Sequence, residues 1–572
     1  MITNEEITLV FDEIANILEL KGENRFKIRA YRNASRTIEG LTRDLVSISK
    51  KGELKSLPGI GEALAKKIDE IIKTGKIKYH EELKESIPSG LLEMLEVQGL
   101  GPKKTYKLHK ELGIDSIESL ERACKNNELH ELFGMGKKTE ENILRGIEQY
   151  RLHKGRISLG KALPYAESIV KSLKDIKDVK KAVFAGSLRR MRETVGDIDI
   201  LVASMDSKPV MDVFTGLERV SEILACGETK SSIIFGDVQV DLRVVPPESF
   251  GAAMQYFTGS KQHNVRLREL AIRKGLKINE YGVFSKEKKI AGKTEEDVYR
   301  SVGLSYIPPE LREDRGEISA ALNCDLPKLV ELSDIKGDLH IHTDWSDGKK
   351  SILEMSKAAK HRGYEYIAIS DHSSSVGITG GLKKDRLEAQ IGEIKKINKD
   401  LKEPNFRVLS STEVDIKSDN TLDFHDDILS ELDIVLAAVH TKFSQDKKSM
   451  TDRIISAINN PNVDIIAHPT GRLIGKREPY EVDVDRVIKA AKKTGVVLES
   501  NANPRRLDLN DMHCKHAREN GVKIAISTDS HDSPHMNLMG FGIATARRGW
   551  IEKGDVLNTM PLYGLLDFLG ID

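Results

Sequence analysis

With 572 residues the chain is too long for a single hydrophobic core, so several domains are expected. Its 39% hydrophobic and 31% charged residues describe an ordinary globular protein, and 89 basic side chains cancel 89 acidic ones, which excludes bulk positive charge as a means of holding a polyanion. No apolar run approaches the roughly 18 residues of a membrane span. The four cysteines (Cys124, Cys226, Cys324, Cys514) form no Cys-x-x-Cys pair, which argues against a disulfide framework or zinc ribbon and fits a reducing cytoplasm. The acidic, amphipathic stretch Met1 to Leu20 is unlike a secretory leader.

Up to about residue 150 the pattern is nearly all helical, broken by short glycine turns. One motif recurs: Pro58-Gly59-Ile60-Gly61, Gln98-Gly99-Leu100-Gly101 and Phe133-Gly134-Met135-Gly136. Such a turn between two helices lets a backbone approach closely and aims free amides, helped by the next helix dipole, at an outside anion. One copy is an ordinary turn. Three copies, with Lys103-Lys104 and Lys137-Lys138 behind two of them, predict sequence-independent contacts to a DNA backbone.

Between about 180 and 245, β-branched runs appear. Ala182 to Ala185 reads as a strand ending at Gly186-Ser187, followed by Leu188-Arg189-Arg190. The next strand, Gly196 to Val202, carries Asp197 and Asp199, which share a face because side chains alternate. The run Val238 to Val244 puts Asp241 on a polar face. Three carboxylates on neighbouring strands can hold two Mg²⁺ or Mn²⁺ ions of the kind that assist in-line attack on a triphosphate. Gly186 and Ser187 offer amides and a hydroxyl to that triphosphate, and Arg190 a planar cation.

An Asp-x-Asp pair alone is common on solvated strands. Gly-Ser followed by Asp-x-Asp and a third strand aspartate is more specific, and it resembles the nucleotidyltransferase superfamily that includes DNA polymerase beta. The stretch Tyr256-Phe257-Thr258-Gly259-Ser260, then Asn264 and Arg268, then Gly275 to Tyr281, resembles the family X thumb. That resemblance implies that Tyr256, Phe257 and Gly259 border the nucleotide sugar, Asn264 the base edge and Arg268 the template. It also implies a triphosphate contact for Arg156, while Lys261 stands where polymerase beta has an acidic residue. Leu57 to Glu70 resembles the lyase domain of polymerase beta, with Lys67 at its Schiff-base position and Lys27, Tyr31 and Lys55 around a 5′-phosphate. Phe26 and Ala63 depart from that pattern, replacing a histidine and a phosphate-binding lysine.

After Gly337, seven apolar strand-like runs alternate with helical stretches, and each leads into polar residues. Parallel β/α units with ligand-type residues at strand ends predict a barrel with its site on one face. His, Asp and Glu without Cys suit Mn²⁺, Zn²⁺ or Fe²⁺. This part resembles the PHP (polymerase and histidinol phosphatase) domain, whose ligand positions match His340, His342, Asp347, His372, Glu413, His440, His468, Asp529 and His531. Such a set implies up to three ions and phosphoester hydrolysis, such as 3′→5′ exonuclease or 3′-end phosphatase action with possible abasic-site cleavage. Arg472 and Lys442 are candidate phosphate clamps.

The expected class is multidomain α/β. Residues 1–85 form a helical lyase-like domain with the first helix-hairpin-helix, and 86–150 the fingers with two more. A nucleotidyltransferase palm follows (151–248), then an α+β thumb (249–318), a linker (319–336) and a (β/α)7-type PHP barrel (337–572). The expected activity is a family X DNA polymerase filling short gaps in base excision repair, acting as a monomer on gapped or primer-template DNA with deoxynucleoside triphosphates and away from membranes. Alternatives are a small-molecule phosphatase barrel beside an incidental polymerase, or a non-catalytic DNA-binding protein with structural metals.

Overall fold

The computed structural model describes residues 4–39, 45–97, 100–132, 135–153, 155–375, 379–401 and 403–571. It divides into two compact units, 1–154 and 155–572.

The first unit is helical throughout its described residues. One core gathers Ile7, Phe11, Ile14, Ile38, Leu64, Ile68 and Leu83, and a second gathers Leu91, Met94, Leu108, Leu120, Ile143 and Ile147. Gly61 precedes the helix Glu62–Thr74 and Gly101 precedes Pro102–Leu112, both without a side-chain cap, so the first amides of each helix face outward. A Cβ at Gly61, Gly101 or Gly136 would meet nothing within 4 Å, which leaves those amides open to approach. Gly59 adopts the left-handed conformation (φ +75°) that its turn requires. Gly99 and Gly134 lie outside the described residues.

In the second unit a small ribbon, β1 (Ile157–Ser158) against β3 (Thr194–Val195), borders a five-stranded sheet. That sheet contains β2 (Lys181–Phe184), β4 (Asp197–Ala203), β5 (Val220–Cys226), β6 (Lys230–Phe235) and β7 (Val238–Val245), in the order β2-β4-β7-β6-β5. Helices Leu159–Lys174 and Lys208–Thr215 pack on it through Ala166, Ile169, Val210 and Phe214, meeting Ile198, Ile200 and Val240. A smaller α+β region follows, with a three-stranded sheet of β8 (Leu276–Asn279), β9 (Gly282–Ser285) and β10 (Lys288–Ala291).

The barrel strands are β11 (Gly337–Ile341), β12 (Tyr366–Ile369), β13 (Arg407–Asp415), β14 (Ile434–Ala438), β15 (Ile465–Ile466), β16 (Val497–Asn501) and β17 (Ile524–Ser527), all parallel and in chain order. The ring closes where the His342 amide donates to the Ser530 carbonyl at 2.8 Å. All but one of the residues in these strands are buried, as expected for strands covered on both faces. Tyr366, Ala368, Leu409, Leu436, Ile465, Val497 and Ala525 form one cluster inside the ring. The helix Leu562–Leu569 adds Leu562, Leu565 and Leu566 to it, and Tyr366 donates to the Met560 carbonyl at 2.9 Å, so this end is plugged.

The stretch 319–336, read from its prolines as a linker, is an ordered strap. Val330 is fully buried and its amide donates to the Ile551 carbonyl at 3.0 Å, while the Lys336 amide donates to the Asn558 carbonyl at 2.8 Å. Proline signals a chain that cannot continue a helix, and such a chain is still free to pack.

Candidate active sites

In the five-stranded sheet β4 and β7 run parallel, with Asp199 opposite Asp241 and Asp197 opposite Gln239. The alternation along β4 turns Ile198 and Ile200 into the core and Asp197 and Asp199 the other way. Burial, then the charges of Asp197 and Asp241, push the Asp199 carboxyl up to about 7. A carboxyl held so high by burial and neighbouring acids is one that a cation would stabilise as the carboxylate. Lys230, 3.5 Å from Asp241, is half-exposed and supplies only part of that charge. The trio therefore fits divalent ions.

Gly186 lies against this trio with φ +62°, and a Cβ there would fall 2.1 Å from Asp199 Oδ2, so no side chain fits. Gly186 and Ser187 open the short helix Gly186–Arg189 beside the acids. Arg156 donates to the Thr194 hydroxyl at 3.0 Å; burial and then Arg192 lower its guanidinium against the pull of Asp197 and Glu193. Arg190 is buried, donating to Glu313 at 3.0 Å and to the Thr258 carbonyl at 2.5 Å. The Tyr256 and Phe257 rings meet edge-on at 5.1 Å, with the Arg243 guanidinium 4.7 Å from the Phe257 ring. Asn264 donates to the Tyr256 carbonyl at 2.7 Å and accepts from Gln255 at 2.7 Å, and Arg268, exposed, reaches back to the Asn264 carbonyl at 3.2 Å.

The barrel brings all nine predicted ligand residues together. His342, Asp347, His372 and His531 form one group of converging ligand atoms; His340, His342 and Asp529 form a second; His372, Glu413 and His440 form a third. His468 joins through Glu413, its Nε2 at 2.8 Å. Burial raises the Glu413 carboxyl, but the imidazoles of His440, His340 and His372 outweigh it and hold the acid well below its ordinary range. Burial with the nearby His531 and His372 pushes His342 down to about 3. Both ring nitrogens of His342 and of His440, with Nε2 of His340 and Nδ1 of His372 and His468, are buried without a hydrogen bond. Buried imidazoles normally find partners. Converging orphan nitrogens beside carboxylates are the donor set of a metal cluster, so this site also fits divalent ions. His468 (φ +28°) and Asp529 (φ +53°) hold left-handed backbones, a cost tolerated where side chains must be aimed.

Sequence reasoning passed over the residues behind the ligands. Glu499 shares the inward face of β16 with Val497; it takes His340 Nδ1 at 2.7 Å and the His468 amide at 2.7 Å. Asp415 accepts the His440 amide at 3.0 Å, and Asp371 accepts the Thr343 amide at 2.8 Å. Glu499 was detectable, since it lies two residues from a core valine on a strand leading into the cluster. Two arginine expectations need correcting. Arg190 is buried and engaged by Glu313 and the Thr258 carbonyl, so it supports the pocket from beneath and is not a free fork offered to a triphosphate. Arg472 is no free phosphate clamp, because its guanidinium is taken up by Glu193 (2.8 Å) and the carbonyls of Arg506 and Leu507. Arg506, 3.5 Å from Asp529, is the guanidinium that borders the cluster.

In the first unit Lys67 lies 4.2 Å above the Tyr79 ring, with Lys27 at 5.2 Å over the same ring. Burial lowers the Lys67 amine, and Lys27 adds to this against the pull of Glu70 and Glu82. Tyr31 is buried and stacks on Tyr79 at 6.4 Å, whereas Lys55 is exposed, 3.8 Å from Glu62.

Family models match the polymerase beta thumb over residues 253–313, a helix-hairpin-helix domain over 2–77, a SAM-like helix-hairpin-helix tandem over 91–149 and the PHP domain over 338–503. The chain is 41% identical, over 99% of its length and 99% of the relative's, to the DNA polymerase/3′-5′ exonuclease PolX of Bacillus subtilis. The chain belongs to the PHP-bearing family X DNA polymerases. A probable phosphatase of Thermoanaerobacter is 30% identical over 39% of this chain and 89% of its own length. Rat DNA polymerase lambda is 24% identical over 54% of this chain and 56% of its own length. The five-stranded sheet, the α+β region and the barrel thus correspond to the palm, thumb and PHP parts that the sequence led one to expect.

Proposed function

We propose that this chain extends DNA primers across short gaps at the Asp197–Asp199–Asp241 site and removes 3′ ends in the barrel. The observation that carries this reading is the end-to-end similarity to a polymerase/exonuclease, combined with two separate sets of ion-fitting residues in one chain. In the palm, Asp197, Asp199 and Asp241 would hold Mg²⁺ or Mn²⁺. In the barrel the nine His, Asp and Glu residues would hold up to three ions of Mn²⁺, Zn²⁺ or Fe²⁺. When bound, such ions neutralise phosphate oxygens and lower the pKa of the attacking hydroxyl or water.

The protein's own contribution is placement. Gly186 lets the triphosphate backbone approach the acids, and Ser187 and Arg156 border the same cleft. Tyr256, Phe257 and Gly259 shape the sugar pocket, with Asn264 and Arg268 toward base and template. The open amides at Gly61, Gly101 and Gly136 grip DNA phosphates, and Lys27, Tyr31 and Lys55 border a 5′-phosphate. In the barrel Glu499 fixes the His340 ring and Arg506 offers charge to a substrate phosphate. The setting in this reading is base excision repair by a cytoplasmic monomer.

The test is primer extension on gapped DNA beside 3′-end removal on recessed DNA without nucleotides. Absence of the first at any divalent ion sinks the polymerase reading. A second reading has a specific support: Lys67 is partly desolvated beside Lys27, which favours the neutral amine a Schiff base needs. Borohydride trapping on abasic DNA checks it, and an unchanged adduct in Lys67→Ala would end it.

A further inference from the structure

The thumb and barrel meet at a buried chain of charges that no catalytic role explains. Arg548, at the end of the barrel helix Met539–Arg548, is 5% exposed. Its Nη1 donates to the Arg190 carbonyl at 2.6 Å and to Glu313 Oε1 at 2.9 Å, and its Nη2 to Asp511 at 2.8 Å. Glu313 Oε1 also accepts from Arg190 Nε at 3.0 Å. Arg190 Nη1 in turn donates to the Thr258 carbonyl, in the turn that joins Phe257 to Gly259. At Gly259 (φ +71°) a Cβ would lie 3.2 Å from Arg190 Nη1, so turn and guanidinium are in close contact. One barrel side chain therefore fixes both backbone and side chain of Arg190, which packs under the predicted nucleotide pocket.

We propose that Arg548 is a positioning residue for nucleotide binding: the PHP barrel supplies the far wall of the polymerase's triphosphate and sugar pocket through Arg548, Glu313 and Arg190. Removing Arg548 would leave Glu313 and Arg190 as a pair without their shared anchor, and would free the Arg190 carbonyl at the start of the Met191 turn. Arg fits this place and Lys fits it poorly, because only the planar fork reaches the Arg190 carbonyl, Glu313 and Asp511 together. The ligand set of the barrel is not touched by this network, so the effect falls on the other active site.

This inference rests on the polymerase reading above, and the wild-type chain is assayed first so that the two fail separately. With Arg548→Gln we expect the apparent KM for the incoming deoxynucleotide to rise about tenfold while kcat changes less than about threefold. 3′-end removal should stay within about twofold, and Arg548→Lys should recover only part of the KM. Calorimetric binding of dATP to a complex with dideoxy-terminated primer-template should weaken in parallel. Should Arg548→Gln fold poorly, Glu313→Gln cuts the same link from the thumb, must give the same KM signature, and must be non-additive with it. An unchanged KM in a well-folded Arg548→Gln overturns the proposal. So does a parallel loss of both activities in a variant that keeps the wild-type melting midpoint. A wild-type chain inactive in extension would sink the polymerase reading and this inference with it.

Discussion

The two ion-fitting sites are built in opposite ways. In the palm, three carboxylates sit on two adjacent strands, Asp197 is exposed, and burial together with the two neighbouring acids pushes Asp199 up to about 7, more than Arg243 and Arg190 offset. In the barrel, ligands come from all around a closed ring, and a buried carboxylate, Glu499, steadies the His340 ring behind them. The first arrangement is open, with one acid exposed; the second is enclosed and preassembled.

The largest expected effect separates the sites. Asp199→Ala should lower primer extension by at least about 10³-fold and leave 3′-end removal nearly intact, and His342→Ala should do the reverse. Both assays run on the same preparations, and a variant that loses both while still folded would break the two-site picture. Chelation should sharpen the contrast. Stripping ions should lower the thermal transition of the whole unit 155–572, since a barrel saturated at about 100 times its Kd loses about 2.7 kcal/mol, which calorimetry reads directly. Glu499→Gln should cut 3′-end removal by about 10–100-fold, as for other groups that orient metal ligands, without altering extension.

Acid should act on the shared interface. Arg548 and Arg315 hold Asp511 down to about 2 against its burial, and Arg312 and Arg189 do the same for Glu295. Both folded values lie below the unfolded ones, so their stabilisation is present above about pH 4.5 and is lost as pH falls toward 2. Urea midpoints measured between pH 5 and pH 3 should fall, and Glu295→Gln should flatten that slope.

Much of this was legible in the sequence. Apolar runs ending in His, Asp or Glu mark barrel strands because few other folds place ligand types at successive strand ends, and His340 through His531 converge accordingly. Asp197, Asp199 and Asp241 were legible from strand alternation alone. What escaped was long-range and ionic. Arg190, Glu313 and Arg548 are separated by 123 and 235 positions, and nothing in local pattern says that three charged residues will share one buried spot. Arg472 looked like a rim charge or clamp because its partner Glu193 lies 279 positions away. The segment 319–336 was misjudged because prolines report backbone geometry and not burial.

Phe541 packs against the palm core and Trp550 enters the thumb core, although the first lies in the barrel helix Met539–Arg548 and the second just after it. During synthesis the palm and thumb emerge hundreds of residues earlier, with part of their hydrophobic interior still unmade. A nascent chain stalled before residue 541 would display that unfinished surface, so maturation of the polymerase waits on the exonuclease end of the chain.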